Sequence, residues 1–214
     1  MTKNIIILLG GEANAQSWLL DVAKDAYVIA ADGGIRHAAL LNVEPDLWVG
    51  DFDSCDADDK ERYKDVPISE YPSDKAKSDG EIAIEAALAL KPQKLVMVGA
   101  LGGHRTDHSF FNVLSALRFA RENPDTALVL TGIDQLAMPI LPGKPLKITG
   151  APNTTLSIIP FSDLSGLTIK GVQWPLELVN VESGSTHTLS NIIVSEAMIH
   201  LLDGHAIAIL QTNG

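Results

Sequence analysis

The sequence predicts an α/β protein, with a doubly wound, mostly parallel sheet in an N-terminal domain and a small all-β, sandwich-like C-terminal domain. Three observations predict it. Short apolar runs ending in glycine or aspartate alternate with helix-like stretches over the first two thirds of the chain. Prolines and glycines then crowd the segment MPILPGKPLKITGAPNTT. From Leu156 onward the apolar runs are short and punctuated by turns. The expected domains are residues 1–140 and 145–214.

The N-terminal runs are NIIILLGG, YVIAADGG, LWVGDFD, KLVMVGALGG and ALVLTG. Runs of this length, rich in Val, Ile and Leu and separated by helical segments, suit buried parallel strands with crossover helices. Ligands of such sheets bind beyond the carboxyl ends of the strands, where the glycines and aspartates sit here. The C-terminal runs, LSIIPF, GLTIKG, ELVNV, NIIVSEAMIHLL and AIAIL, suit short antiparallel strands.

Composition narrows the partners. The 214 residues are 46% hydrophobic and 20% charged, an ordinary folded balance. With 27 acidic and 16 basic residues the formal charge is −11, which argues against nucleic acid or an anionic membrane as a partner. Cys55 is the only cysteine, so an intramolecular disulfide is excluded and a reducing compartment is expected. The apolar run from Ile5 to Leu9 is too short to span a membrane, and Gly10, Gly11 and Glu12 follow where a signal peptide would still be apolar. The reading is a cytoplasmic protein.

The stretch VGDFDSCDADDKE places Asp51, Asp53, Asp56, Asp58 and Asp59 around one lysine. Carboxylates so close repel one another unless a cation sits among them. If the chain stays extended through GDFDS, Asp51 and Asp53 point to one side and Phe52 into the core. That pair makes a cradle for Mg²⁺, which prefers a few carboxylates, retained waters and phosphates. The alternative is a polar turn with Ser54 as a cap. Asp56, Asp58 and Asp59 read as a solvated helix N-terminus.

Asp32, Gly33 and Gly34 close the second run as ADGG, where backbone amides can approach a phosphate or simply make a tight turn. KSDGE reads as a capping box, Ser78 as N-cap with Glu81 returning to it, and Asp79 in the first turn also suits the helix dipole. GGHRTDH, residues 102–108, puts Arg105 and Asp107 ahead of an amphipathic helix. Asp107 is a candidate N-cap, whereas Arg105, without a local partner in an acidic chain, is a candidate phosphate clamp. The six histidines show no zinc spacing, although His108 lies beside this site. In the tail, Trp174 suits a core or a ligand platform, and Ser190 with Asn191 suits a turn.

In this order, ADGG, GDFDS, KSDGE, GGHRTDH, GLTIKGVQWPL and GSTHTLSN resemble the thiamin pyrophosphokinase family, over most of the chain. The resemblance implies transfer of diphosphate from ATP to the hydroxyethyl group of thiamin, giving thiamin diphosphate and AMP. It implies Mg²⁺, ATP as co-substrate, and a homodimer with active sites between subunits. By the same resemblance Asp51, Asp53 and Asp79 hold the metal. Asp32, Gly33, Gly34 and Ser78 lie at ATP, Arg105 and Asp107 complete the catalytic set, and Trp174, Ser190 and Asn191 lie at thiamin. Three departures stand out: Ala76 replaces an aspartate of the family's KDxTD, leaving Asp74 as a substitute. GGHRTDH has one residue more than GGRxDH, and Ile192 follows Ser-Asn in place of glutamate. Two alternatives are a pyrophosphokinase acting on a hydroxymethylpterin and a non-catalytic nucleotide or thiamin sensor.

Overall fold

The computed structural model describes residues 4–71, 77–151 and 153–212, so Asp74 and Ala76 lie outside the described residues. The chain divides into two compact units, Met1–Ser115 with Asp125–Ile133, and Ala116–Pro124 with Asp134–Gly214.

The first unit holds six strands: β1 (Asn4–Leu8), β2 (Tyr27–Ala31), β3 (Leu47–Gly50), β4 (Ile68–Glu70), β5 (Lys94–Val98) and β6 (Ala127–Thr131). Their order is β6-β5-β1-β2-β3-β4, and every neighbouring pair is parallel. The chain moves outward from β1 to β4, then returns to the other side of β1 for β5 and β6. The order therefore reverses between β1 and β5, the kind of switch point at which open α/β sheets leave a crevice.

Both faces of this sheet are covered, which is why its strands show no polar alternation. Leu19 and Ala23 of α1 (Ser17–Ala23) and Ala38 and Leu41 of α2 (His37–Leu41) pack with Ile6, Leu8, Val28, Ala30, Val96 and Val98. The alternate residues Ile5, Ile7, Ile29, Leu95 and Met97 are equally buried. Helix α4 (Asp79–Ala89) packs over β1, β2 and β3. Short α3 (Ala57–Arg62) has no buried residue, as its acidic sequence predicts. Helix α5 (Thr106–Glu122) follows the glycine-rich turn after β5.

The second unit is all antiparallel: β7 (Gln135–Ile140), β8 (Leu146–Ile148), β9 (Thr155–Pro160), β10 (Leu164–Val172), β11 (Leu176–Val181), β12 (Asn191–His200) and β13 (Ala206–Gln211). Strand β12 serves three ladders, its residues 197–199 pairing with β8. Its Asn191 and Ile192 pair with β9, while Ile193 and residues 198–200 pair with β10. The switch lets Ile140, Leu156, Ile158, Leu167, Ile169, Ile193 and Ile199 share one core. At the register shift between Lys170 and Val172, Gly171 has φ +77°, and a Cβ there would lie 2.0 Å from the Glu196 carbonyl oxygen. Only glycine fits.

The apolar runs identify ten of the thirteen strands among the described residues. β4 and β8 have three residues each, too few for a period to show. β7 contains Pro139, opposite Ile207 of β13, and prolines count against a strand because each lacks a donor. Among the described residues no helix is long and apolar enough to cross a membrane.

Candidate active site

Asp32, Asp51 and Asp79 reach the same place from three elements: the turn after β2, the end of β3 and the first residue of α4. Each half-buried carboxylate offers an oxygen within 4.8 Å of the others. The local backbone makes this convergence. Asp32 adopts φ +44°, its carbonyl oxygen accepts from Trp48 Nε1 at 3.0 Å, and its carboxylate accepts from Cys55 Sγ at 3.3 Å. Gly50 has φ +145°, and a Cβ there would lie 3.1 Å from the Cβ of Asp32. Glycine at the head of GDFDS thus admits the neighbouring aspartate. Ser78 caps α4, its Oγ accepting from the Glu81 N–H at 3.2 Å, and this fixes Asp79 in the first turn.

The extended path through GDFDS is not the one the chain takes. β3 ends at Gly50 and Phe52 has φ +60°, so Asp51 and Asp53 do not share one side of a strand. Asp53 lies outside the three-carboxylate group: its Oδ1 accepts from Ser54 Oγ at 3.0 Å and its N–H donates to Asp51 at 3.4 Å. Phe52 does turn into the core, edge-on to Trp48 with ring centroids 4.9 Å apart. The cap of α3 is Asp56, accepting from the Asp59 N–H at 2.7 Å, and not Ser54.

A cavity of about 390 Å³ opens beside Asp32 and Asp79, lined also by Gly10, Gly11, Gly33, Ser78, Gly99, Gly102, Gly103, Arg105 and His108. It occupies the switch point, between the loops that follow β1 and β5. A Cβ on Gly11 would lie 2.2 Å from the Gly99 carbonyl oxygen, so the two loops meet backbone to backbone. Gly34 is buried beneath the wall, where a Cβ would lie 2.2 Å from the Leu8 carbonyl oxygen. Close packing against β1 explains its glycine.

Further lining residues outside the sequence motifs carry polar groups, among them Glu12, Arg36, Ser109 and Asn112. Arg36 Nη2 donates to the carbonyls of Gly10 and Gly11, and His37 Nε2 meets the Gly11 carbonyl at 2.8 Å. Burial pushes the His37 pKa below its ordinary value. Asn112 Nδ2 donates to the Ala100 carbonyl at 3.0 Å, and Ser109 Oγ to that of Gly102 at 2.9 Å. Arg36, like Arg105, is a cation following a glycine-rich turn in an acidic chain.

Arg105 does have a local partner. Its Nε and Nη2 donate to the two carboxylate oxygens of Asp107, at 3.0 and 2.7 Å. Asp107 is the second residue of α5 and not its N-cap. The guanidinium holds the Asp107 carboxyl down at about 2. Such an acid is a poor proton acceptor near neutral pH, and its two oxygens hold the guanidinium in one orientation. Cys55, by contrast, is pushed up to about 12, first by burial and then by its bond to Asp32. A thiol so held stays protonated near neutral pH.

In the second unit Trp174, Ser190 and Asn191 lie together. Asn191 Oδ1 accepts from the Trp174 N–H at 3.1 Å and its Nδ2 donates to the Trp174 carbonyl at 2.7 Å. Ser190 has φ +58°, and its N–H donates to Ser157 Oγ at 3.0 Å. Trp174 is 55% exposed, which removes the core reading of that residue.

The Arg105–Asp107 pair sets a pH dependence. A depressed folded-state pKa means that the contact persists above the ordinary carboxylate range and is lost as pH falls through the folded value. The Asp107 carboxyl, followed by NMR, is expected to titrate at about 2. In Arg105→Gln it should rise toward the ordinary value of about 3.9. A wild-type midpoint already in that ordinary range would show that the fork is not engaged in solution.

The profile of the thiamin pyrophosphokinase catalytic domain matches residues 20–128, and that of the family's vitamin B1 binding domain matches residues 146–204. The chain is 29% identical to a thiamine pyrophosphokinase of Bacillus subtilis over 217 residues, covering 99% of this chain and all of that one. The crystal structure of thiamine pyrophosphokinase from Bacillus subtilis superposes with a TM-score of 0.87 at 24% identity, covering 99% of this chain and 100% of that one. Thiamin pyrophosphokinase from Candida albicans superposes with a TM-score of 0.84 at 15% identity, covering 99% and 90%. At those identities the superpositions establish the fold, and the catalytic-domain profile, spanning half the chain, establishes the family. The chain belongs to the thiamin pyrophosphokinase family.

Proposed function

We propose that this chain transfers the diphosphate group of ATP to the hydroxyethyl oxygen of thiamin, with Mg²⁺ as its metal, in the cytoplasm. The observation that carries the reading is the convergence of Asp32, Asp51 and Asp79 beside a cavity walled by glycine loops and Arg105. An all-oxygen donor set of carboxylates, with room for waters and phosphates, fits Mg²⁺ by its chemistry. When bound there, the metal would offset the charge of the carboxylates and the phosphates together.

In the reaction an O–P bond forms between the thiamin hydroxyl and the β-phosphorus, the bond from that phosphorus to the α-phosphate oxygen breaks, and AMP leaves. The hydroxyl proton is released. The chain's own contribution is placement and charge. Gly10, Gly11, Gly33 and Gly103 keep side chains out of the cavity, so phosphates can approach backbone amides. Arg105, aligned by Asp107, brings a planar fork suited to phosphate oxygens. Trp174 presents an exposed aromatic face in the segment matching the vitamin B1 binding profile, suited to a heteroaromatic, cationic ligand. That match supports thiamin over a pterin alcohol.

Asp32→Asn, Asp51→Asn and Asp79→Asn are each expected to lower AMP formation on the order of 100-fold or more and to raise the Mg²⁺ needed for half-maximal rate. Unfolding midpoints of Asp32→Asn and Asp51→Asn should hold or rise, since each substitution relieves repulsion, whereas Asp79→Asn also gives up a favourable charge at the N-terminus of α4. Asp53→Asn, outside the convergent group, should cost less. Wild-type Mg²⁺ dependence in the first three variants would refute the metal assignment.

We propose further that the chain works as a homodimer with active sites between subunits. Phe110, Phe111 and Leu114 on α5, and Trp174 and Leu178 in the tail, are large apolar side chains left exposed. A symmetric partner is the simplest cover for them. Mixing Asp51→Asn chains with Trp174→Ala chains should then regain about a quarter of wild-type activity, because half the dimers are mixed and each has one intact site. No recovery despite demonstrated subunit exchange would exclude shared sites.

A further inference from the structure

We infer that Asn191 is a positioning residue for Trp174 and does not itself touch the organic substrate; the inference rests on the reading that Trp174 receives thiamin. Asn191 is the first residue of β12 and only 8% exposed, whereas Trp174 lies in the bend between β10 and β11 and is 55% exposed. The β10–β12 ladder runs out nearby, with the Gln173 N–H donating to the Ile192 carbonyl at 2.8 Å. At the next residue the Asn191 side chain takes over from the strand. Its Oδ1 accepts from Trp174 and its Nδ2 donates to Trp174, as a paired backbone residue would.

The inventory of lone pairs completes the argument. The Asn191 oxygen also accepts from the N–H of Ile192 at 2.9 Å, so two donors fill the two acceptor positions of a carbonyl-type oxygen. No acceptor site remains for a ligand; the second Nδ2–H is the one contact Asn191 still offers, and the double-mutant cycle below reads it. The chemistry also explains the residue type: only a primary amide supplies an acceptor and a donor at this spacing, and a carboxylate or hydroxyl loses one of the two contacts. Pro175 adds to the restraint by disfavouring helical backbone at Trp174. Asn191 and Pro175 together hold the backbone under an indole that few neighbours cover.

Two measurements test the proposal. The first is hydrogen exchange of the Trp174 amide in the ligand-free protein, read by NMR. Loss of this bond in Asn191→Ala is expected to speed exchange roughly tenfold. Asn191→Asp, which keeps both acceptor contacts, should show a smaller increase and covers the case in which the alanine variant does not fold. The second is a double-mutant cycle of thiamin and ATP binding by calorimetry. Asn191→Ala is expected to weaken thiamin and spare ATP, and to add nothing in a Trp174→Ala background. Unchanged amide exchange would overturn the clamp. Additive losses would overturn it as well, by showing that Asn191 meets the ligand directly. Faster exchange with normal thiamin affinity in both single variants would instead overturn the placement of thiamin on Trp174, and with it the role of Asn191 in binding.

Discussion

Three carboxylate oxygens within 4.8 Å of one another repel, and the rest of the catalytic unit is arranged to keep them there. Two unit charges 4 Å apart interact by about 4 kcal/mol at an effective dielectric of 20, so convergence of this kind does not arise from folding alone. The backbone enforces it. Asp32 sits in a left-handed conformation, a strain on the order of 1–3 kcal/mol for a residue with a side chain. Trp48, 2% exposed and packed against Phe52, anchors its carbonyl, and Gly50 leaves the space it occupies. The hydrophobic core therefore fixes a carboxylate cluster whose repulsion a cation would relieve.

The same rule, backbone held by buried contacts so that a polar or aromatic group is presented, recurs elsewhere in the molecule. The loops after β1 and β5 meet at Gly11 and Gly99, and Arg36 and His37 tie the carbonyls of the first loop. This leaves a cavity with little side-chain obstruction at the one place where the parallel sheet reverses its order. In the second unit an amide side chain does for Trp174 what Trp48 does for Asp32: it bonds to the backbone of the candidate site residue. Cys55 belongs to the same pattern, its thiol donating to Asp32 with a pKa too high for chemistry of its own.

What was legible in the sequence follows from range. The buried parallel strands announced themselves as unbroken runs of Val, Ile and Leu, because both faces of the sheet are covered. The Ser78 and Asp56 ends of helices were readable or nearly so, because capping acts within three residues. The choice between Asp32 and Asp53 was not readable. Asp51 and Asp53 look like partners at spacing two, but a left-handed Phe52 separates them, and Asp32 arrives through a tertiary contact with Gly50. Asn191 was read as a turn or a ligand residue because its partner, Trp174, is seventeen positions away. Arg105 shows the reverse error: a partner two residues off was in plain view and was assigned to a cap.

The decisive measurement is product formation by the purified chain with ATP and Mg²⁺, alone, with thiamin, and with a hydroxymethylpterin, following AMP and the diphosphorylated alcohol together. The account predicts AMP and thiamin diphosphate in equal amounts, with neither formed when thiamin is left out or replaced by the pterin. AMP release driven by the pterin, or tight binding of ATP and thiamin with no AMP at all, would contradict it.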